Sequence, residues 1–579
     1  MTTFKELKKN LKKDTSALPA LKAALLGDTA TQFLAAALQG TAIERGYRLD
    51  LFEAEYNQVE RQFMDPSSEF FAVKPDYAVV FQSTHKLLSA YNKLPSEGYV
   101  RLADERLEFV RFMIKSVGAF SGRLIYFNYP EIDDAVFGSF SNKVESSFTW
   151  QARKLNYELM RLASGSPNLF ICDIAAVQNK LGRDILFDSS IYVSTEMVLS
   201  LDAVPHIASR VMDIVCAAQG QFKKCLILDL DNTLWGGVIG DDGLENLQLG
   251  HGLGIGKAFT EFQHWIKALK NRGIIIAVCS KNNEETAKEP FIKHPEMVLK
   301  LDDISVFVAN WDNKADNIRH IQSILSIGFD SMIFLDDNPA ERAIVRENIP
   351  GITVPELPED PADYLEYLYG LNLFETASYS AEDAERTKQY QVEAERASLQ
   401  KTFANEADFL KSLDMVSEVK GFDAFNIPRV AQLSQRSNQF NLRTIRYTEA
   451  DAARLAADSR YQTFSFTLED KFGDNGLICV VILEKQDAKT LFIDTWFMSC
   501  RVLKRGMENF TLNTIVDYAR ENRFKRIVGE YIATAKNKMV EGHYPGMGFA
   551  AVADVERKLY GLDVDTYADK QCFIKRINN

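Results

Sequence analysis

The sequence lacks the cysteine arrangement of a disulfide-stabilised or zinc-binding protein. Its 579 residues include 7 cysteines, an odd number, and no two of them form a CxxC pair. Disulfide frameworks use cysteines in pairs, and structural zinc sites use closely spaced ones. The pattern therefore predicts reduced thiols and argues against both kinds of site.

Long apolar segments are missing as well. No run approaches the roughly 18 apolar residues that a membrane-spanning helix needs. The N-terminal stretch, Met1–Asn10, is charged and amphipathic, without the apolar core of a signal peptide. Internal repeats and low-complexity tracts are also absent, so we expect a globular cytoplasmic protein that does not enter a membrane.

The chain has no excess of positive charge. Its net charge is −13 and its pI is near 5.3, which argues against wrapping nucleic acid or docking on an anionic membrane. The net charge leaves open whether a local Lys/Arg patch binds an acidic partner. The hydrophobic fraction of 46% and the charged fraction of 25% are ordinary for a globular protein. At about 150 residues per domain, the length predicts roughly three or four domains.

The most informative segment that is present runs from Leu226 to Gly237. An apolar stretch ends there in Asp229 and Asp231, which an extended chain places on one side. Parallel α/β sheets bind ligands at the carboxyl ends of their strands. The pair is therefore typical of a nucleophile, Asp229, and its acid/base partner, Asp231.

Two further apolar runs end in polar residues. One ends at Cys279 and Ser280, the other at Asp336 and Asp337, and between them Lys314 enters a predicted helix. Singly, such residues are often structural: a DxD pair can be a capping group, a serine a helix cap, and a lysine a surface cation. Four elements in order at strand ends favour a catalytic site.

These motifs, DxDxT, Ser, Lys and DD, resemble those of the haloacid dehalogenase (HAD) superfamily. A carboxylate that attacks a phosphoryl group needs a cation, and Mg²⁺ prefers oxygen ligands. The expected ligands are Asp229, the backbone carbonyl of Asp231, and Asp336, with Asp337 in support. Ser280 and Lys314 are expected to bind the phosphoryl oxygens, while Asp231 protonates the leaving oxygen and later activates water.

The region before the HAD motifs is predicted to be another α/β unit. Gly27-Asp28-Thr29 follows a predicted strand where SGNH-type hydrolases have Gly-Asp-Ser. The later Asn of that family is replaced by Gln82-Ser83-Thr84-His85, and Asp202 and His206 are one residue too far apart for the terminal motif. The resemblance therefore implies an SGNH-like, flavodoxin-like scaffold without its triad.

The region after the motifs resembles the GNAT acyltransferase fold. A helix is predicted after its strand Leu491–Met498. The residues at the start of that helix include Arg501, Lys504, Arg505 and Gly506. The resemblance implies that this junction binds the pyrophosphate of coenzyme A or phosphopantetheine at a helix N-terminus. Lys504 replaces one of two expected glycines. Asn438 and Asn441 also fit the fold, although turn or cap roles are open for both.

Together these features predict an α/β protein of three domains with a linker, and a central Rossmann-like HAD core without a large cap. The ranges are 1–218 (SGNH-like), 219–372 (HAD core), 373–404 (linker helix, alternatively the solvated face of a longer helix) and 405–579 (GNAT-like).

Over nearly its whole length the chain resembles an FkbH-like protein of HAD subfamily IIIC. The motifs that carry this are Asp-Asn-Thr-Leu-Trp-Gly-Gly, Cys-Ser-Lys-Asn, Asn-Gln-Phe-Asn and Cys-Arg-Val-Leu. The resemblance implies a glyceryl transferase/phosphatase that loads a phosphoglyceryl unit onto the phosphopantetheine thiol of an acyl carrier protein and dephosphorylates it. Two alternatives stay open: a plain phosphatase of a small phosphate ester, and a non-catalytic scaffold that docks the carrier.

Two further expectations concern the HAD core. Neither the stretch from Thr233 to Gly256 nor that from Ser280 to Lys314 is long enough for a cap domain, which favours a large substrate. Cys279, next to Ser280, is expected to hold the glyceryl group as a thioester, or else to be core packing.

Overall fold

The computed structural model describes residues 2–379, 390–393, 396, 399, 403–534, 536–554 and 557–577. It divides into two compact units, Met1–Gln219 and Gly220–Asn579. The division between the two units, after Gln219, falls next to the boundary predicted at residue 218. The boundary predicted near residue 372 lies inside the second unit.

The first unit is built on a five-stranded parallel sheet with the order β2-β1-β3-β4-β5. Helices on both faces bury the two central strands completely, as in doubly wound sheets. The strands are β1 (Ala20–Gly27), β2 (Arg48–Glu53), β3 (Tyr77–Phe81), β4 (Arg123–Phe127) and β5 (Leu169–Cys172).

Eleven described helices accompany this sheet. They are Phe4–Asn10, Gln32–Glu44, Val59–Met64, Glu69–Val73, Thr84–Tyr91, Leu102–Gly118, Phe148–Ser164, Ile174–Leu181, Arg183–Leu186, Ser189–Thr195 and Val204–Ala218.

The second unit begins with a four-stranded parallel sheet of order β8-β7-β6-β9. Its strands are short and buried on both faces, which explains their continuous apolar sequences. They are β6 (Cys225–Leu228), β7 (Ile275–Ser280), β8 (Val306–Ala309) and β9 (Met332–Leu335).

The connections around this sheet contain single helices and no cap domain. Residues 229–254, between β6 and its crossover helix, hold one four-residue helix and one 3-10 turn. The helices are Ile239–Asp242, Ile255–Asn271, Glu284–Lys293, Lys314–Leu325, Pro339–Asn348 and Tyr364–Leu371. The prediction of a core without a large cap is confirmed for these residues.

The same unit also holds an eight-stranded mixed sheet of order β15-β16-β14-β13-β12-β11-β10-β17. β13 pairs with β14 in parallel, but only over Thr490–Ile493. The strands are β10 (Val416–Lys420), β11 (Tyr461–Asp470), β12 (Gly473–Lys485), β13 (Thr490–Met498), β14 (Arg526–Glu530), β15 (Ala550–Val552), β16 (Leu559–Asp563) and β17 (Lys575–Ile577).

Five described helices belong to this region. They are Glu406–Ser412, Ile427–Arg436, Glu449–Ala457, Met507–Glu521 and His543–Gly546. Most of the predicted linker helix, including Ser380–Arg386, lies outside the described residues, although residues 390–393 are helical.

The α/β fold class with several domains is confirmed. Among the described residues, no helix has both the length and the apolar character that a bilayer crossing requires.

Candidate active site

The parallel sheet of the second unit brings the predicted motifs to one edge. Leu228 and Leu335 are paired neighbours at the ends of β6 and β9, so Asp229 and Asp336 follow adjacent strands. β7 lies on the other side of β6 and ends at Ser280. Because the strands are parallel, their carboxyl ends meet at the same edge.

The chain turns sharply after Asp229 instead of continuing as an extended strand. Asn232 has a φ of 55°, in the left-handed region that asparagine tolerates better than most residues. Its side chain accepts a hydrogen bond from the backbone N–H of Gly237 at 3.0 Å. This turn directs the Asp231 side chain back toward the strand ends.

A lysine lies between the first and the last carboxylate of the site. Lys314 Nζ is 3.0 Å from Asp229 Oδ1 and 2.6 Å from Asp336 Oδ2. All three side chains are at least nine-tenths buried. Lys314 is the first residue of the helix Lys314–Leu325. Lys314 thus offsets the negative charge at the position predicted for the nucleophile.

Asp337 completes a group of three carboxylates. Oxygen atoms of Asp229, Asp336 and Asp337 all lie within 4.8 Å of one another. Thr233 fixes Asp337, since its hydroxyl lies 3.2 Å from Asp337 Oδ1 and accepts a hydrogen bond from the Asp337 N–H at 3.1 Å. This explains why threonine occupies the last position of the DxDxT motif.

The site holds more negative charge than its lysine balances. Burial and the charge of Asp229 raise the pKa of Asp336 to about 7 and raise the pKa of Asp337. Although burial lowers the pKa of Lys314, the charges of Asp229 and Asp336 raise it above its usual value. Three converging carboxylates with one lysine match the hard, oxygen-rich ligand set that Mg²⁺ prefers.

Asp231 is held by three hydrogen bonds. Its Oδ1 accepts from Trp235 Nε1 at 2.9 Å and from the Ile239 N–H at 3.0 Å, and its Oδ2 accepts from Asn282 Nδ2 at 3.0 Å. Burial, followed by the charge of Asp229, raises the pKa of Asp231. These partners hold the side chain in one orientation, which leaves the backbone carbonyl as its predicted metal contact.

Sequence reasoning missed the partners that hold the acidic groups. Asn282 and Trp235 lie inside the quoted motifs, but nothing local shows that both reach Asp231. The buried Arg342 donates hydrogen bonds from Nη1 to the carbonyl oxygens of Asp336, at 2.8 Å, and Asp337, at 2.7 Å. A basic residue a few positions after the DD motif is the signal that could have indicated it.

Cys279 and Ser280 differ in their surroundings, although both are buried at the end of β7. The Cys279 Sγ lies 3.7 Å from the backbone oxygen of Lys314, within an apolar cluster under the sheet. Burial raises the pKa of the Cys279 thiol, which disfavours the nucleophilic thiolate. The structure therefore favours the core-packing alternative over the thioester role.

At the junction predicted to bind coenzyme A or phosphopantetheine, Arg505 has protein partners. Arg505 is 4% exposed. Its guanidinium pairs with Asp470 at 3.2 Å and with Glu393, and Arg396 joins the same two carboxylates. Because this guanidinium lies in a buried ion-pair network, its contacts give no support to the prediction that it binds a cofactor.

The rest of the junction is also a poor fit for a pyrophosphate. Gly506 precedes the helix Met507–Glu521 with a φ of 80°, and Lys504 is exposed beside it. The neighbouring cavity, of about 360 Å³, is lined by Glu406 and Glu508 as well as Lys504. Two carboxylates oppose a dianionic ligand there. The Arg501 side chain lies outside the described residues.

The gap between β13 and β14 is filled by the chain itself. Where the two strands diverge, Leu442 donates a backbone hydrogen bond to Trp496 at 3.2 Å, and Phe440 accepts one from Met498 at 3.0 Å. On the other side, Ile532 N–H donates to Leu442 O at 2.9 Å. An extended ligand that hydrogen-bonded to these strand edges would need the same backbone N–H and carbonyl groups.

This inserted segment also ties the mixed sheet to the HAD-like sheet. Asn438 Nδ2 donates a hydrogen bond to the carbonyl oxygen of Gly220 at 2.6 Å. Asn441 forms an isolated antiparallel β-bridge with Phe497. Lys224 Nζ donates to the Arg436 carbonyl at 3.1 Å, and Lys536 pairs with Asp330 at 2.5 Å. Asn438 and Asn441 therefore have structural partners, and the residues present do not fit a coenzyme A site.

In the first unit, Thr29 lies where an SGNH hydrolase has its nucleophile. The side chain is 1% exposed, and its hydroxyl has no hydrogen-bond partner among the described residues. No described base is therefore in place to activate it.

Comparisons with known proteins give two matches of substance. The FkbH N-terminal domain family matches residues 22–216. The N-terminal part of the protein BF1531 from Bacteroides fragilis, which contains a phosphatase domain complexed with Mg, is 66% identical in sequence, with a TM-score of 0.64. That match covers 66% of this chain and 100% of the Bacteroides chain.

Other solved structures match only about a quarter of this chain. Mutant forms of the spermidine/spermine N-acetyltransferase SpeG from Vibrio cholerae are 13% identical, cover 27% of this chain and 96% of that chain, and give a TM-score of 0.21. Ard1 from Thermoplasma volcanium is 14% identical, covers 26% and 97%, and gives the same TM-score, 0.21. Similarities this weak add nothing to the assignment. No curated protein matches the sequence.

Proposed function

Because this chain belongs to the FkbH-like proteins, we propose that its HAD-like domain is a Mg²⁺-dependent phosphatase that works through Asp229. The observation that carries the proposal is the group formed by Asp229, Asp336, Asp337 and Lys314 at adjacent strand ends. The Bacteroides relative, described as complexed with Mg, supports the choice of metal.

Each residue of the site has a distinct part in the proposed reaction. Asp229 attacks the phosphorus, the bond to the leaving oxygen breaks, and Asp231 gives that oxygen a proton. Asp231 then takes a proton from the water that hydrolyses the aspartyl-phosphate. Lys314 and Ser280 bind the phosphoryl oxygens. Asp229, Asp336, Asp337 and the Asp231 carbonyl would hold Mg²⁺, which supplies positive charge against the phosphoryl group.

The finer proposal is that the phosphate ester is a phosphoglyceryl unit, carried by an acyl carrier protein, as in a glyceryl transferase/phosphatase. The open surroundings of the site support a large substrate, since residues 229–254 contain no cap domain to enclose a small one. Neither Cys279 nor the Arg505 junction is given a step, because one is buried in the core and the other is occupied by ion pairs.

A phosphate-release screen tests both levels of the proposal. The full chain is assayed with Mg²⁺ against free phosphate esters and against phosphoglyceryl groups on a panel of carrier proteins, with and without chelator. We expect Mg²⁺-dependent release that is fastest on a carrier. Release from free esters alone would indicate the plain phosphatase, and no release from any substrate would favour a docking scaffold.

A further inference from the structure

The strand ends of the first unit carry a group of buried polar residues that the phosphatase reaction does not use. In the sheet order β2-β1-β3-β4-β5, the chain leaves β1 toward β2 on one side and later returns to β3 on the other. Doubly wound sheets bind ligands at this switch point, outside the carboxyl ends of the strands. Asp28 and Thr29 follow β1 there, and Gln82 and Ser83 follow β3.

The backbone at this point is firmly fixed. Asp28 accepts two contacts from the Ser83 N–H, at 2.9 and 3.0 Å, and its own N–H donates to Phe81 at 3.2 Å. Burial raises the pKa of Asp28 to about 7. The carboxyl group therefore joins the two strand ends and carries less than a full negative charge near neutral pH.

Arg106, on the helix Leu102–Gly118, lies near these strand ends. It lies on the helix face that packs against the sheet and is half-buried. Its electrostatic neighbours are Tyr129, Tyr126, Asp28 and Glu60, yet it forms no hydrogen bond or ion pair with any described residue. A guanidinium has five N–H donors, and a half-buried one without an acceptor is unusual.

Two further polar atoms that follow β1 and β3 along the chain are buried without a hydrogen-bond partner among the described residues. They are the Thr29 hydroxyl and Nδ1 of His85, whose ring packs against Phe187 and Tyr192. The Tyr126 hydroxyl donates to Gln82 at 2.8 Å, and therefore accepts from the Tyr129 hydroxyl at 2.6 Å. The Tyr129 oxygen is left as an acceptor on the Arg106 side.

We propose that the edge of the sheet formed by these strand ends binds a small oxyanion, a carboxylate or a phosphate monoester, with Arg106 as its pairing group. The planar guanidinium matches the two oxygens of such a ligand. Lys86 is already paired with Glu196 at 2.6 Å, and burial lowers the pKa of His85 to about 4, so Arg106 supplies the positive charge for the ligand.

The test measures ligand binding to the full chain in a Lys314→Met background, which weakens phosphate binding at the phosphatase site. Equilibrium dialysis uses radiolabelled inorganic phosphate, and calorimetry uses glycerate, with neutral glycerol as a control. We expect phosphate or glycerate to bind, and Arg106→Gln to weaken that binding at least about tenfold. Binding of one probe alone identifies the ligand as phosphate or carboxylate.

Matched variants separate binding from folding. Arg111→Gln, on the same helix and paired with Glu108 on the surface, should bind as the parent protein does. Arg106→Lys keeps the charge and should lose less affinity than Arg106→Gln. In the chain with Lys314 intact, Arg106→Gln should leave phosphate release unchanged. The proposal is overturned if neither probe binds at millimolar concentration, or if Arg106→Gln binds as tightly as its parent.

Discussion

Asp231 shows how single residues determine the chemistry of the site. Its carboxylate is fixed by Trp235, Asn282 and the Ile239 N–H, so it faces the site in one orientation. An acid/base group contributes to the rate only when it reaches the leaving oxygen. The two side chains are therefore positioning residues, and their loss should affect poor leaving groups most.

The first prediction is that Trp235→Phe and Asn282→Ala slow hydrolysis of an alkyl phosphate about tenfold to a hundredfold. The same variants should change kcat/KM for p-nitrophenyl phosphate by less than about threefold, since nitrophenolate leaves without a proton. kcat/KM is the quantity compared on both esters, because it excludes the later hydrolysis of the aspartyl-phosphate, in which Asp231 also acts. Steady-state kinetics on both esters measures the difference. Trp265→Phe, in the same apolar core but without a bond to Asp231, is the control. Equal losses on both esters would contradict the positioning role.

The second prediction concerns Cys279. Because its thiol is buried with a raised pKa, Cys279→Ala should retain phosphate release and any glyceryl transfer to the carrier, with some loss of thermal stability from the removed packing. Intact mass spectrometry with 1,3-bisphosphoglycerate follows the adduct, and calorimetry follows unfolding. A hydroxylamine-sensitive adduct on the wild type that Cys279→Ala lacks would restore the covalent role.

At this scale the sequence predicted those residues whose position follows from a strand end. Asp229, Ser280 and Asp336 each follow or end an apolar run, and parallel strands place such residues together. Asn282 and Trp235 were not predicted, because their contact with Asp231 depends on side-chain directions across a turn. The ion-pair network of Arg505 was not predicted, since its sequence neighbours do not show that Asp470 and Glu393 pair with it.

Among the elements, the pair β13 and β14 has the clearest consequence. The strands diverge after Ile493, and the segment Phe440–Leu442 takes the hydrogen-bonding positions between them. A strand edge that is already paired cannot accept a second extended partner. The segment Phe440–Leu442 thus connects the two strands where they diverge.

The third prediction is that the full chain does not bind coenzyme A or acetyl-coenzyme A at micromolar concentration. Calorimetry or equilibrium dialysis measures this, and Lys504→Gln serves as a charge control at the junction. Saturable binding that Lys504→Gln weakens would show that the junction rearranges to accept the cofactor.

Element boundaries were predictable where apolar runs are bounded by polar residues. β6 ends at Leu228 and β9 at Leu335, directly before the Asp229 and Asp336 that were predicted at the ends of apolar runs, and the helix predicted at Lys314 begins there. The insertion of Phe440–Leu442 between two strands was not predictable, because its partners lie about 50 to 90 residues away along the chain.

At the scale of the whole molecule, the second unit combines a phosphatase-like core with a mixed sheet that closes against it. The ion pair of Lys536 with Asp330 and the hydrogen bond from Asn438 to Gly220 join segments that lie next to the two sheets in the chain. This arrangement leaves the catalytic edge without a cap of its own. An uncapped edge supports the proposal that the substrate is held by a macromolecular carrier.

The most direct test of the account is phosphate release by Asp229→Asn compared with the wild type, in Mg²⁺ and in chelator. The substitution keeps the side-chain shape and removes the attacking charge. Turnover should fall at least about a thousandfold, while circular dichroism and the melting temperature show an intact fold. The wild type should lose activity in chelator and regain it with Mg²⁺. Turnover by Asp229→Asn within a few-fold of the wild type, or full wild-type activity in excess chelator, would contradict the account.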